Sequence, residues 1–387
     1  MPLAHPNPLV ARLSPPPIPS VLAWACDYDG AKGPLIDLSQ AVPGYPAHPE
    51  MLRLLGEAAA SPAMTSYGAI EGEEVLRKAY AAHVSAVYGA SVSAANIHIT
   101  SGCNQAFMCS TIALAKSGET MALTNPFYFN HETTLSMLGI GRVLVDCDAA
   151  NGFLPCLRSA EEALMSGVRG LAVVSPNNPT GAVYPPVLLR ELFHLCQKYG
   201  AWLILDETYR DFLPTDAGAP HDLLLIEDWE DTLVLLYSFS KSFCIPGHRL
   251  GAITAGPRIV SEITKIMDNM QICAPRAAQV AVAAALPILA EWRVANRLEI
   301  LRRADALKAV MAATDGWSIA AVGAYFAFIR HPYGNTPSAE VAEKLAKEAG
   351  VICIPGSYFG EDQEDYLRFA FANAEVGVIS QLHERLR

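Results

Sequence analysis

Charge is scarce in this sequence, and what there is leans negative. Only 17% of its 387 residues are charged, and 39 acids against 28 bases leave a net charge of −11. No block of lysine or arginine interrupts that balance, so neither nucleic acid nor an anionic membrane is expected as its main partner. The nine cysteines are scattered, odd in number and include no Cys-x-x-Cys pair, which argues against a zinc site or a disulfide framework. Long hydrophobic runs are missing too. The longest, Val280 to Ala290, contains Pro287 and is too short to span a bilayer. The N-terminus lacks the basic-then-apolar layout of a secretory signal. The expectation is a soluble protein with reduced, mostly buried thiols in a cytoplasm.

Apolar residues are plentiful. They make up 51% of the chain, enough for a large core, and the length suits two intertwined domains. Prolines stand at positions 2, 6, 8, 15, 16, 17 and 19. Proline fixes φ and removes a donor, so residues 1–20 are expected as an extended arm on the body or on a partner subunit, not as a helix. From residue 97 short apolar runs alternate with helix-compatible stretches. The runs are Ile97–Thr100, Met121–Thr124, Val143–Asp146, Leu171–Ser175, Trp202–Asp206, Leu233–Tyr237 and Leu250–Thr254. Continuous apolar strands in such alternation predict an α/β fold, its large domain a mostly parallel seven-stranded sheet flanked by helices. Past Gly256 an alanine- and arginine-rich helical region breaks near Pro275, and strand-like segments at Tyr325–Ile329, Val351–Ile354 and Tyr366–Phe371 surround a helix at Ser338–Ala349. These predict a smaller α+β domain. The expected division is an N-terminal arm and part of the small domain over 1–50, the large domain over 51–285 and the small domain over 286–387.

Five stretches carry residues suited to chemistry. Ser238-Phe239-Ser240-Lys241 follows the apolar run Leu233–Tyr237, with Arg249 eight residues beyond the lysine. A lysine at the end of a buried strand stands at the rim where open α/β sheets bind ligands, and the serines and arginine offer donors to an anion such as phosphate. Desolvation and a nearby cation lower a lysine's pKa and free its amine to condense with an aldehyde. Thr100-Ser101-Gly102-Cys103-Asn104 turns a strand into a helix, either as an ordinary capped turn or as an anion cradle. Asp206-Glu207-Thr208-Tyr209 ends another strand; its aspartate suits a cationic ring nitrogen, a helix cap or a metal. No matching set of histidine and a second carboxylate supports the metal. Asn178-Pro179-Thr180-Gly181 forces a turn and offers a carboxamide. Arg368, inside the aromatic strand Tyr366–Phe371, needs either a structural ion pair or a substrate carboxylate.

Taken together, these motifs resemble the class I/II aminotransferases of the fold-type I pyridoxal-phosphate enzymes, from about Ile36 to Phe371. The order and spacing of Ser238-x-Ser240-Lys241 with Arg249 and Gly251, Asn178-Pro179-Thr180-Gly181 and Asp206-x-x-Tyr209 carry the resemblance. It implies pyridoxal 5'-phosphate as cofactor, joined to Lys241 as a Schiff base, with the same amine later moving the Cα proton. It implies that Asp206 pairs with the pyridinium nitrogen and that Asn178 and Tyr209 bond the 3′-oxygen. Ser101, Gly102, Cys103, Ser238 and Arg249 would hold the phosphate, and Tyr128 would stack on the ring. Tyr67 would reach the phosphate of a neighbouring subunit in a homodimer, and Arg368 would clamp the substrate α-carboxylate. Two positions depart from the family. Ala41 stands where glycine is usual, near the substrate carboxylate, and Arg276 stands where serine or threonine is common. Arg276 is open to an acidic side chain, to a neighbouring subunit's phosphate or to an ordinary ion pair.

The reaction this predicts is amino-group transfer between an L-amino acid and a 2-oxo acid in two half-reactions. A β-lyase or decarboxylase on the same scaffold, and a non-catalytic effector-binding protein, stand as alternatives because fold and cofactor residues do not separate them. The known regulators of this type carry a separate DNA-binding domain, for which no room is expected before Ile36.

Overall fold

The computed structural model describes residues 4–387. Its strands are β1 Ile36–Asp37, β2 Ile97–Thr100, β3 Thr120–Asn125, β4 Gly141–Asp148, β5 Leu154–Pro155, β6 Gly170–Val174, β7 Trp202–Asp206, β8 Leu233–Ser238, β9 Gly251–Ala255, β10 Ser318–Gly323, β11 Phe326–Arg330, β12 Val351–Ile352, β13 Ile354–Pro355 and β14 Tyr366–Phe369. The main sheet runs β2-β9-β8-β7-β6-β3-β4-β5. The five strands β8, β7, β6, β3 and β4 are mutually parallel, while β9 is antiparallel to both neighbours. All seven expected strands are present, and the short antiparallel β5 adds an eighth.

The central strands β6 and β8 are buried along their whole length, which explains why their sequences read as unbroken apolar runs. Helices cover both faces. Among them, Cys103–Leu114 packs on β8 and β9, while Pro186–Tyr199 packs on β7. A second core gathers around the four-stranded sheet β10-β11-β14-β13, with Ile36 and Leu38 of the N-terminal segment joining it. β1 pairs in parallel with β12, so a stretch before residue 40 is stitched to one after residue 350.

Two expectations need correction. Residues 8–24 are not an extended arm: Pro8–Ala11 and Pro17–Trp24 are helices, each with proline in its first turn. A first-turn N–H has no helical partner anyway, so proline starts a helix as readily as it breaks one. The second helix does lie on the body, with Val21 fully buried in the main core. The first three residues of the expected arm lie outside the described residues. The strand β10 was not expected; its apolar run is only the four residues Ile319–Val322, and it is nowhere fully buried. The helical region after Gly256 breaks twice, after Met270 and again at Leu289.

Candidate active site

The carboxyl ends of β7 and β8 lie side by side and present Asp206 and Ser238 to one cleft. One short helical turn, Phe239–Ser242, then carries Lys241, with Ser238 Oγ accepting from the Ser240 N–H at 3.3 Å as its cap. The chain reverses through Arg249, which takes a left-handed φ of 50°, and re-enters the sheet as β9. This places the Arg249 guanidinium against Gly102, the residue that opens the helix Cys103–Leu114. A β-carbon at Gly102 would collide with Arg249 Nη2, and its φ of 87° also favours glycine. Free N–H groups of the helix start and one guanidinium therefore converge on a single spot, an anion site.

The Lys241 amine donates to the Ala41 carbonyl across the cleft. Burial first, and then the positive charges of Arg249 and Arg368, pull its pKa down to about 8. Asp206 goes the other way for a carboxylate in a closed place. Burial by itself would raise its pKa, yet the group is held below the usual aspartate value by His131 and Thr208. His131 Nε2 lies 3.4 Å from Oδ2, and the Thr208 N–H donates to Oδ1 at 2.9 Å. The Cys103 thiol donates to Oδ2 at 3.4 Å, and burial beside that carboxylate pushes its own pKa well up. Asp206 is thus a buried, ionised acid ready for a cation.

Arg368 comes from the opposite wall, in register with Phe328 of β11 and Ile354 of β13. It is almost fully buried, yet no carboxylate is within ion-pair distance among the described residues. Its Nη1 donates to Asn178 Oδ1 at 3.1 Å, its Nη2 to the Ser39 carbonyl, and its Nε has no partner. The guanidinium sits between the rings of Phe326 and Phe359, 5.0 and 5.1 Å from their centroids. Burial lowers its pKa to about 10, which leaves it charged at neutral pH. The structural ion pair weighed above as one of two readings of Arg368 is therefore absent. Asn178 is brought to Arg368 by the Asn178–Gly181 turn, whose Gly181 touches the backbone of Gly323 and Phe326 too closely for any side chain.

The cleft encloses about 460 Å³. It brings together Ala41, Cys103, Tyr128, Asn178, Asp206, Tyr209, Ser238, Lys241, Arg249 and Arg368 from the residues expected. Ser101 and Gly102 do not line it; the Ser101 N–H donates to Gln105 Oε1 at 2.6 Å, while its hydroxyl oxygen accepts from the Gln271 side-chain N–H at 2.5 Å, which leaves the O–H free to donate. Tyr67 is elsewhere and 77% exposed. Arg276 is an internal clamp, bonded to Glu73 Oε1 at 2.6 Å and to the carbonyls of Ala63 and Ser66 at 2.7 and 3.0 Å. Sequence reasoning missed His131, which stacks on Phe107 with centroids 3.8 Å apart. It lies in the first turn of the helix Phe129–Leu138, three residues after its N-cap Tyr128, and nothing in the sequence marks it out. It also missed Ile18, which reaches the cleft from the helix that was expected as an arm. Among the described residues no group of three His, Cys, Asp or Glu side chains could hold a metal, and no single helix is long and apolar enough to cross a membrane.

The family description "Aminotransferase class I and II" matches residues 26–386. The chain therefore belongs to the class I and II aminotransferases, enzymes that use pyridoxal phosphate to move an amino group between an amino acid and a 2-oxo acid. Among its relatives, an aromatic aminotransferase of Arabidopsis thaliana is 28% identical, the match covering 91% of this chain and 89% of that one. A valine–pyruvate aminotransferase of Mycobacterium tuberculosis is also 28% identical, covering 97% of this chain and 96% of that one. The fold is shared with Thermus thermophilus aspartate aminotransferase, at a TM-score of 0.90 and 23% identity over 99% of both chains.

The residues present fit that cofactor. Ser240 Oγ is buried at the cleft wall without a partner, beside the anion site formed at Gly102 and Arg249, and Asp206 offers a buried negative charge to a ring nitrogen.

Proposed function

We propose that Lys241 is the covalent anchor and proton carrier of this aminotransferase, with Asp206, Tyr209 and Asn178 holding the cofactor ring. When bound, pyridoxal phosphate supplies an aldehyde and an electron-withdrawing ring. The chain's own residues do the rest. Asp206, kept ionised by His131, keeps the ring nitrogen protonated. Asn178 gives its oxygen to Arg368, which leaves its N–H₂ free to donate to the ring's phenolic oxygen alongside Tyr209. Tyr128 stacks on the ring. Ser238, Arg249, Ser101 and the N–H groups of Gly102 and Cys103 receive the phosphate, with Ser240 as a further hydroxyl. Arg368 takes the substrate α-carboxylate through its free Nε, which fixes which Cα bond faces the ring. Lys241, neutral at little above pH 8, then moves the Cα proton.

The observation that carries this reading is that Lys241, just past the end of β8, and Arg368, buried with an unpartnered Nε and no carboxylate beside it among the described residues, line one cleft with Asp206. The residues 51–285 form the cofactor-binding body in this reading, with 1–50 and 286–387 closing the other wall. The working form is a homodimer, in which the exposed Tyr67 reaches the phosphate of a second copy. Nine unpaired thiols favour a cytoplasmic setting. Borohydride treatment of the purified yellow protein, followed by peptide mapping, tests the anchor: the label is expected on Lys241, and a label elsewhere refutes it. Asp206→Ala should damage turnover more than cofactor retention, and the reverse ranking contradicts the role given to it.

A further inference from the structure

A count of charge in the cleft bears on the substrate. Its wall holds three cations, Lys241, Arg249 and Arg368, and one carboxylate, Asp206. In the reading above each has a use: anchor, phosphate, α-carboxylate and ring nitrogen. Among the described residues of one protomer, no guanidinium or ammonium lining the cleft is left for a substrate side-chain carboxylate. Arg276 does not supply one either. Its Nε and Nη2 are bonded to Glu73 and its Nη1 to the 63–66 backbone, so even if a second copy's Tyr67 loop approached the cleft, that arginine would arrive neutralised. A cationic side chain fares no better, because Asp206 is already held by His131 and Thr208. A charged side chain in such a place loses its water without gaining a partner.

What remains of the wall is mainly apolar. Ile18 comes from the helix Pro17–Trp24, Val42 follows Ala41, and Phe129 packs on Phe359 with centroids 5.4 Å apart; Gln40, Asn104 and Thr208 are the uncharged polar neighbours. We infer that this cleft selects L-amino acids with large uncharged apolar side chains, aliphatic or aromatic, and that Ile18, Val42 and Phe129 are the residues that select them. The inference rests on the roles given to Lys241, Arg249 and Arg368. It makes the N-terminal helix part of the substrate site, where the sequence suggested only an arm.

The test is the first half-reaction of the holoenzyme, followed as the loss of its yellow Schiff-base absorbance on mixing with single amino acids. L-Leucine or L-phenylalanine should show kcat/KM at least ~10²-fold above L-aspartate and L-lysine, since the charged side chains find no counter-ion and each methylene in an apolar pocket is worth ~10-fold or more. Aspartate, glutamate or lysine reacting within tenfold of the best apolar amino acid overturns the inference while leaving the aminotransferase reading intact. A spectrum unmoved by every amino acid overturns the reading itself, and the inference with it. Ile18→Ala should shrink the ratio of phenylalanine to alanine by ~10-fold. A ratio that stays at its parent value removes Ile18 from the site.

Discussion

Of the four arginines buried among the described residues, Arg210 and Arg368 are kept there for opposite reasons. Arg210 lies behind the main sheet, with Nη1 3.4 Å from Glu207 Oε2 and Nη2 donating to Tyr80 at 3.1 Å. Its guanidinium rests 4.1 Å from the centroid of Tyr237, and Tyr88 donates to both Glu207 oxygens at 2.6 and 2.7 Å. Although burial opposes its charge, these anionic and phenolic neighbours hold its pKa well above the ordinary value. Arg368, equally buried, has two carbonyl-type acceptors, two ring faces and an unused Nε. One charge is satisfied by the fold. The other is left in want of a carboxylate, which is how a binding site differs from a structural ion pair of similar depth.

If that contrast is right, the cations of the cleft should govern turnover and Arg210 should govern stability. The largest effect is expected at Lys241. Lys241→Ala removes the covalent and acid–base group and should cost at least ~10³-fold in kcat, measured by coupled assay, with a melting temperature close to the parent. Near-normal turnover would remove the centre of the scheme.

Arg210→Met comes next. It strands Glu207 in the interior beside His221, and breaking a buried pair from one side costs about 3–5 kcal/mol. Urea unfolding should register that loss, and kcat/KM per folded molecule should change far less than the stability does. A fully stable variant would mean that the pair is not needed to offset its own desolvation. Arg368→Gln is the mirror case. KM for the amino acid should rise ~10²-fold as the carboxylate grip is lost, whereas stability should move by less than about 1 kcal/mol, since an uncompensated buried charge is removed along with two hydrogen bonds. A large stability loss without a change in KM would reassign Arg368 to the fold.

The sequence made one wall of this cleft readable and hid much of the other. Asp206, Ser238 and Lys241 stand where uninterrupted apolar runs stop, and a parallel sheet delivers such strand ends to one rim, so composition and order sufficed to place them. Arg368 was recognisable as a cation in an aromatic strand, but whether a carboxylate would meet it depended on a fold that pairs β1 with β12 and presses Gly181 onto Phe326. Ile18 was hidden because Pro17 reads as a breaker in isolation, and only the surrounding body shows that it occupies the first turn of a helix, where no N–H is missed. His131 was hidden for another reason. A single histidine in a helix carries no spacing signal, and its contact with Asp206 joins residues 75 positions apart.

The smallest effect sharpens the contrast further, because it reads one arginine through another residue. Lys241 titrates near pH 8 because of burial first and the charges of Arg249 and Arg368 second. Since a depressed lysine pKa means the neutral amine appears at lower pH, capture of pyridoxal phosphate by the apoprotein should accelerate through pH 8 and level off above it, well short of the usual lysine range. Arg368→Gln removes one of the two cations that disfavour the ammonium, so its capture profile should move to higher pH, by less than the whole depression because burial persists. Arg210→Met, whose charge does not contribute to the Lys241 shift, should leave the midpoint in place. Stopped-flow capture rates from pH 6.5 to 10 separate these outcomes, and equal displacement by both variants would show that the two arginines act on the cleft alike.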